Sequence, residues 1–306
     1  MATKIALLQS NPIVGDINGN AVMIQKLANL AYESGAGFAV TTELAISGYP
    51  PRDLLLQDDF ISRCHQVASD LESPIPILVG TPVPPIQDRS LPGNGVVRAG
   101  DSIREVTRKQ LLPTYDVFDE ARYFEADERP GIARTIAGVD VGVTICEDAW
   151  QHCGATPNDY DSDPIAQIAE WGRQGVLLDA TVNLSASPYH ADKSGVRIEV
   201  ARSAASSLNH PFLLANQVGG NDDLLFDGRS IIAWPDGTAV VAPAWKEGVL
   251  VADLTDSSKC IWKGEGDLVH LSPNQEFNEG DNDLLDAVIT GPVSYTHLTL
   301  PTMLPV

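Results

Sequence analysis

The chain has 306 residues, with 41 Asp+Glu against 20 Lys+Arg, a formal charge of −21. That balance argues against wholesale binding to nucleic acid or an anionic membrane, because no basic surface dominates to release counterions from phosphates. Hydrophobic residues at 43% and charged residues at 20% describe a globular chain, long enough for a buried core in one large domain or two modest ones. Apolar runs and helical periodicities then alternate. Residues 5–8 read as a buried strand. Residues 18–34 carry Val22, Ile24, Leu27, Leu30 and Ala31 at helical spacing, closed by Gly35. Residues 38–41 predict a short strand, 54–71 a second amphipathic helix and 75–79 another strand. Two runs, 96–98 and 103–106, flank Ala99-Gly100-Asp101, a hairpin signal. A Val- and Ile-rich strand is expected at 139–145, a helix from 164 to 171, a strand at 176–184, a helix at 196–208 and a strand at 212–215. Short strands follow at 231–234 and 239–241, around the turn Pro235-Asp236-Gly237, and at 249–251. Strands interleaved with helices and hairpins predict mixed sheets covered by helices, in α/β or α+β layering.

The cysteines and the two ends set expectations of their own. Cys64, Cys146, Cys153 and Cys260 form no CxxC pair and no ladder of zinc spacing, so no metal site is expected. Four thiols in this length do not make a disulfide scaffold, and Cys64, Cys153 and Cys260 read by default as buried structural thiols. The apolar run at the start is too short for a secretory signal, and no run reaches the ~18 residues of a membrane span. A cytoplasmic protein without a membrane partner is expected. Residues 292–306 carry no charge and are rich in Thr, Leu and Pro. The stretch 294–302 resembles a translated sequencing adapter joined to a truncated frame, so residues 1–291 are taken as the native domain and 292–306 as a non-native tail.

Cys146 is the most informative position. It ends the run Val139-Asp140-Val141-Gly142-Val143-Thr144-Ile145 and precedes Glu147-Asp148-Ala149-Trp150. A thiol there sits at the C-terminal edge of a strand, where α/β sites gather. A lone Cys can equally be a small buried hydrophobe; a nucleophile needs a base, or a cation that lowers its pKa. His152 and His190 lie in loops, and neither marks a Cys–His protease. No Gly-x-Ser-x-Gly elbow and no phosphate-binding loop occurs, and Gly219-Gly220-Asn221 reads as a turn. Glu43 follows a short strand beside a turn, and Lys109 ends a hairpin strand. Each alone is an ordinary surface charge.

Taken in order, these residues resemble the nitrilase (carbon–nitrogen hydrolase) superfamily, with its Glu–Lys–Cys triad. The likeness is closer to the glutaminase domains of glutamine-dependent NAD+ synthetases and spans roughly residues 3–290. It rests on Gln9-Ser10-Asn11-Pro12-Ile13-Val14-Gly15-Asp16, on Glu43 in Glu-Leu-Ala-Ile-Ser-Gly-Tyr-Pro-Pro-Arg-Asp-Leu-Leu and on Lys109 in Arg-Lys-Gln-Leu-Leu-Pro-Thr-Tyr-Asp. Cys146 in Ile-Cys-Glu-Asp-Ala-Trp and the run from Asn183 to Lys193 complete it. The resemblance implies a four-layer α-β-β-α sandwich and a homo-oligomer. It implies that Cys146 attacks the side-chain carbonyl of L-glutamine and that Glu43 carries the protons. Lys109 and a backbone N–H, that of Glu147, would hold the oxyanion. Glu120 matches a supporting glutamate, and Tyr115, Ser187 and Lys193 match glutamine-binding positions. A cation at 193 suits the α-carboxylate. No cofactor is implied for this step. ATP and deamido-NAD+ would bind a C-terminal synthetase domain whose Ser-Gly-Gly-x-Asp-Ser loop does not occur in this chain. Two other readings stay open: a free-standing amidase acting on another small amide, and a catalytically silent binding or assembly module.

Overall fold

A computed structural model describes residues 4–275 and 283–290, apart from 87, 88, 103, 158, 192, 265 and 267. The tail at 292–306 and Ile103 of the expected hairpin lie outside the described residues. In chain order the elements are β1 (Lys4–Gln9), α1 (Ile17–Glu33), β2 (Phe38–Val40), α2 (Asp58–Ser69), β3 (Ile77–Val83), β4 (Gly93–Ala99), β5 (Arg104–Arg108), β6 (Gly131–Ile136), β7 (Val139–Ile145), α3 (Pro164–Arg173), β8 (Ala180–Ser185) and α4 (Lys193–Leu208). Then follow β9 (Phe212–Asn216), β10 (Val218–Asn221), β11 (Leu224–Asp227), β12 (Ile231–Ala233), β13 (Ala239–Val241), β14 (Gly248–Asp253), β15 (Asp256–Gly264) and β16 (Leu268–Leu271). Residues 283–290 are also helical.

The strands form two large mixed sheets, ordered β16-β15-β14-β1-β2-β3-β4-β5 and β13-β12-β9-β8-β7-β6, with β10 and β11 as a separate pair. The strand period of two assigns their faces. In β1, Ile5 and Leu7 point to a core between the sheets, where they join Phe38, Val40, Val141, Val143, Ile145, Val182 and Leu184. Their neighbours Ala6 and Leu8 point the other way, into a layer with Ile24, Leu27 and Ala31 of α1 and Cys64 and Ala68 of α2. On the far side of the second sheet, Val200, Ala201, Ala204 and Ala205 of α4 cover Phe212, Leu214 and Ile231. The result is helix on sheet on sheet on helix, the four layers expected. Strands buried on both faces must be apolar throughout, which is why residues 5–8 show no alternation. Each buried Leu, Ile or Val side chain contributes about 1.5–3 kcal/mol to this sandwich.

Local chemistry marks the helix starts. The Asp16 side chain accepts from the Gly19 N–H at 2.9 Å and caps α1. Asp163 does the same for α3 through the Ala166 N–H, with Pro164 as the first helical residue.

The structure departs from the sequence reading in several places. The expected helix at 54–71 is a 3-10 turn (Arg52–Leu56) followed by α2. The strand expected from 176 starts only at Ala180; Leu177 stays 83% exposed in the preceding loop. Val22, expected on the inner face of α1, lies on the outer one, 64% exposed. Gly219-Gly220-Asn221 belongs to β10 and is not a turn. Gly219 has φ +107°, a conformation that favours glycine, and a Cβ there would also crowd the Asn11 side chain. β6, β11, β15 and β16 carry too little alternation to announce themselves. Cys64 and Cys260 are buried as expected, and burial pushes each thiol up to about 12. Cys153 is exposed, contrary to expectation, because it sits in a short surface turn. Among the described residues no helix is long and apolar enough to cross a membrane, and no cluster of His, Cys, Asp and Glu could hold a metal ion.

Candidate active site

Four strand ends converge on one spot. Glu43 follows β2 and Lys109 follows β5, both in the larger sheet. Cys146 follows β7 and Ser187 follows β8, both in the smaller one. The turn carrying Glu43 lies hard against β3: the Gly80 N–H donates to Thr41 Oγ1 at 2.9 Å, and a Cβ at Gly80 would stand 2.4 Å from the Thr42 carbonyl. Cys146 opens a 3-10 turn (Cys146–Ala149) with φ +44°, a left-handed conformation that non-glycine residues seldom adopt. The strained turn holds the thiol at the end of its strand.

Glu43 and Lys109 are fully buried, and Glu120 is 5% exposed. The Lys109 ammonium donates to Glu43 Oε1 at 2.7 Å and to both Glu120 oxygens at 2.8 Å. Asn94 Nδ2 donates to Glu43 Oε1 at 2.8 Å, and the Ala186 N–H to Glu43 Oε2 at 3.1 Å. The Tyr49 hydroxyl donates to Glu120 Oε1 at 2.8 Å. One cation thus faces two carboxylates, all three buried. Burial alone would lower the Lys109 pKa, but Glu120 and Glu43 hold it well above its ordinary value. Burial, with Glu43 beside it, pushes the Glu120 carboxyl up to about 7 against the pull of Lys109. The Cys146 thiol is raised well above its ordinary value, first by burial and then by Glu43, with Lys109 pulling the other way. At neutral pH it is a thiol, and its proton must go to a base before the sulfur can attack.

A second set of contacts fixes the Cys146 turn. Asp148 Oδ1 accepts from the N–H groups of Gln110 and Leu111 at 3.0 and 2.9 Å, and its Oδ2 accepts from Ile145 at 3.0 Å. One buried carboxyl therefore ties the turn after β7 to the segment after β5. Burial pushes it up to about 7 despite these donors. Asn183 Nδ2 donates to the Cys146 carbonyl at 3.3 Å and to Thr144 Oγ1 at 3.0 Å.

A cavity of about 490 Å³ opens over the thiol. Its walls include Tyr49, Tyr115, Glu120, Cys146, Glu147, Trp150, Ser187, His190 and Lys193. The Tyr115 and Tyr160 hydroxyls donate to Glu147 Oε1 at 2.6 and 3.2 Å. Lys193 stands at the start of α4 with its ammonium 5.2 Å from the centre of the Trp150 ring. Burial lowers its pKa, and Arg197 adds to that. The Ser187 N–H donates to Asn216 Oδ1 at 2.9 Å, while its buried hydroxyl has no partner among the described residues. The pocket therefore offers a cation, a free hydroxyl and a buried thiol around one small volume. Glu43 and Lys109 stand behind the thiol and do not form its walls. A smaller cavity of about 220 Å³ shares Tyr49, Phe118 and Glu120 with it and reaches Leu224 of β11.

Glu43, Lys109, Glu120, Cys146, Glu147, Tyr115, Ser187 and Lys193 thus gather here, with His190 on the cavity wall; His152 lies elsewhere, paired with Asp163 at 2.8 Å. The sequence reading missed Tyr49, Asn94, Asp148, Trp150 and Asn216. Asp148 and Trp150 stood within the quoted run Cys-Glu-Asp-Ala-Trp, a signal to look for. Asn94 and Asn216 had none, since a strand asparagine is legible only once its neighbours are known.

A family model described as carbon–nitrogen hydrolase matches residues 4–259. A glutamine-dependent NAD(+) synthetase of Synechocystis sp. is 39% identical over 265 residues, 83% of this chain and 46% of that protein. The chain spans about half the length of the curated relatives it matches. Among solved structures, the glutamine-dependent NAD+ synthetase from Acinetobacter baumannii in complex with ADP superposes with a TM-score of 0.79 at 25% identity, over 97% of this chain and 52% of that one. An amidase from Nesterenkonia sp. shares the fold with a TM-score of 0.64 at 22% identity, over 83% of this chain and 90% of that one.

Proposed function

The chain belongs to the carbon–nitrogen hydrolase family, and from that premise we propose that it hydrolyses the side-chain amide of L-glutamine through a thioester on Cys146. The ammonia would feed the amidation of deamido-NAD+ by a synthetase domain, the partner that binds ATP and deamido-NAD+. The observation that carries the reading is the cavity. It brings Tyr115, Ser187 and Lys193 around Cys146, with Lys109 held between Glu43 and Glu120 behind it. A carboxamide with an α-carboxylate fits that set: Lys193 pairs the carboxylate, Tyr115 and Ser187 line the stem, and the thiol meets the amide carbon.

The steps follow from the charges. As Cys146 Sγ bonds to the amide carbon, its proton passes to Glu43, which relieves the excess negative charge around Lys109. The carbonyl electron pair moves to oxygen, where the Lys109 ammonium and the Glu147 backbone N–H hold it. Losing one such donor typically costs about 3 kcal/mol of transition-state stabilisation. Glu43 then protonates the amide nitrogen, the C–N bond breaks, and ammonia leaves behind a thioester. Glu43 next takes a proton from water as the water oxygen attacks the thioester. The C–S bond breaks and the sulfur recovers its proton. Glu120, held by the Tyr49 hydroxyl, keeps Lys109 charged and in place throughout. No cofactor takes part in these steps. A homo-oligomer in the cytoplasm, where thiols stay reduced, suits this chemistry.

Ammonia release from L-glutamine, compared with other ω-amides, tests the substrate. A marked preference for L-glutamine supports the reading, and equal rates would count against the Tyr115–Ser187–Lys193 clamp. Labelling with a glutamine-like electrophile, located by mass spectrometry, tests the nucleophile. A label on any residue but Cys146 would refute it.

A further inference from the structure

A second buried charge cluster lies outside the site. Asp227, at the end of β11, is fully buried, as is Arg197 of α4; Arg229 and Asp283 are nearly so. Arg197 Nη2 donates to Asp227 Oδ1 at 2.8 Å and its Nη1 to the Gly228 carbonyl at 3.0 Å. Arg229 Nη1 donates to Asp227 Oδ2 at 3.0 Å and to Ser194 Oγ at 3.2 Å, and Ser194 Oγ to Asp227 Oδ2 at 3.3 Å. The other arm of Arg229 donates to Asp283 Oδ2 at 2.6 Å, while Trp245 Nε1 holds Asp283 Oδ1 at 3.3 Å. The links that run from Asp283 through Arg229 and Asp227 therefore end on the first five residues of α4, at Ser194 and Arg197. Lys193 is the first of those five.

We propose that Asp283, acting through Arg229 and Asp227, is a positioning residue for Lys193, so that the helix at 283–290 sets the affinity of the cavity for the carboxylate of its substrate. The proposal rests on the reading of Lys193 as the partner of the glutamine α-carboxylate. The physical case has two parts. Two guanidiniums meet two carboxylates, so the cluster is neutral when Asp283 is in place and carries an excess positive charge when it is not. A buried charge deprived of its partner forces its neighbours to rearrange. The neighbours here are Ser194 and Arg197, which fix the direction in which α4 starts. Lys193 also senses the cluster directly: Arg197 lowers its pKa and Asp227 opposes that. Asp283 lines no wall of the cavity, so it reaches the cavity through the start of α4 and not by contact with the thiol.

The test compares two reagents at Cys146 in the whole chain. One is a glutamine-like electrophile, which needs the carboxylate clamp; the other is iodoacetamide, which does not. Asp283→Asn is expected to lower the rate ratio of the two about tenfold, the scale of coupling between residues of one network. In turnover it raises KM for L-glutamine by the same factor, with kcat within about twofold. Asp283→Glu restores the ratio, and in a Lys193→Ala background Asp283→Asn changes nothing further. Equal slowing of both reagents, or an undiminished effect in the Lys193→Ala background, would make Asp283 merely structural and overturn the proposal. If Asp283→Asn does not fold, Arg229→Lys, which keeps the charge but loses the two-armed guanidinium, is read the same way. The failures separate cleanly. A Lys193→Ala variant with the wild-type ratio removes the clamp and the network's role together. A lowered ratio in Lys193→Ala with none in Asp283→Asn removes only the network's role.

Discussion

The cluster at Lys109 and the cluster at Arg229 use the same kinds of group and differ in arithmetic. At Lys109 one ammonium serves two buried carboxylates; at Arg229 two guanidiniums serve two. The balanced cluster has its charges matched and holds elements together. The unbalanced one is short of a proton, and it lies beside a thiol that has one to give. Buried charge is costly in either place, and the imbalance is what turns the first into a site for chemistry.

The sharpest way to break this comparison is to remove the thiol. Cys146→Ala should abolish glutamine hydrolysis, by about 10⁴-fold or more, while thermal unfolding stays cooperative. Retained ammonia release would mean that the imbalance serves something else. Lys109→Met goes next, because it strips from two carboxylates the cation they share. We expect a loss of about 3–5 kcal/mol in stability by denaturant titration, together with a rate loss of about 10²–10³. A variant as stable as wild type would show that the carboxylates can share a proton unaided.

Asp227→Ala tests the balanced cluster. It leaves Arg197 and Arg229 without their common partner and should cost about 3–5 kcal/mol, with kcat far less affected than in Lys109→Met. The smallest effect concerns pH. The Glu120 pKa is raised from its ordinary 4.5 to about 7, so protonation favours the folded state. Its contribution is complete below about pH 4.5 and is lost as pH climbs through about 7. Glu120→Gln should flatten the fall of melting temperature with pH across that window. An unchanged slope would assign the fall to other groups.

Much of this was legible beforehand, for physical reasons. Strands buried on both faces leave apolar runs, so β1, β7 and β9 stood out. Reactive groups cluster where such strands end, which made Cys146 readable and, with the family resemblance, Glu43 and Lys109. β15 and β16 escaped because they run out to the sheet edge, where Leu268 and Val269 are exposed and polar residues break the pattern. The Asp227 cluster escaped because its members, at 197, 227, 229 and 283, are separated by most of a domain's folding. Nothing local marks an arginine as buried.

One feature of the layering reaches further. Glu43 and Lys109 hang from one sheet, Cys146 and Ser187 from the other, and Cys146 itself belongs to the apolar packing between them. The reactive centre is a seam, and its geometry is the registry of two sheets packed face to face through apolar side chains and pinned at this end by the Asp148 hydrogen bonds. Turnover is therefore a gauge of that registry. A small void opened at Leu184 or Val40, far too mild to unfold the protein, would register first as lost rate. Chemistry in this molecule is the most sensitive measure of how well its core is packed.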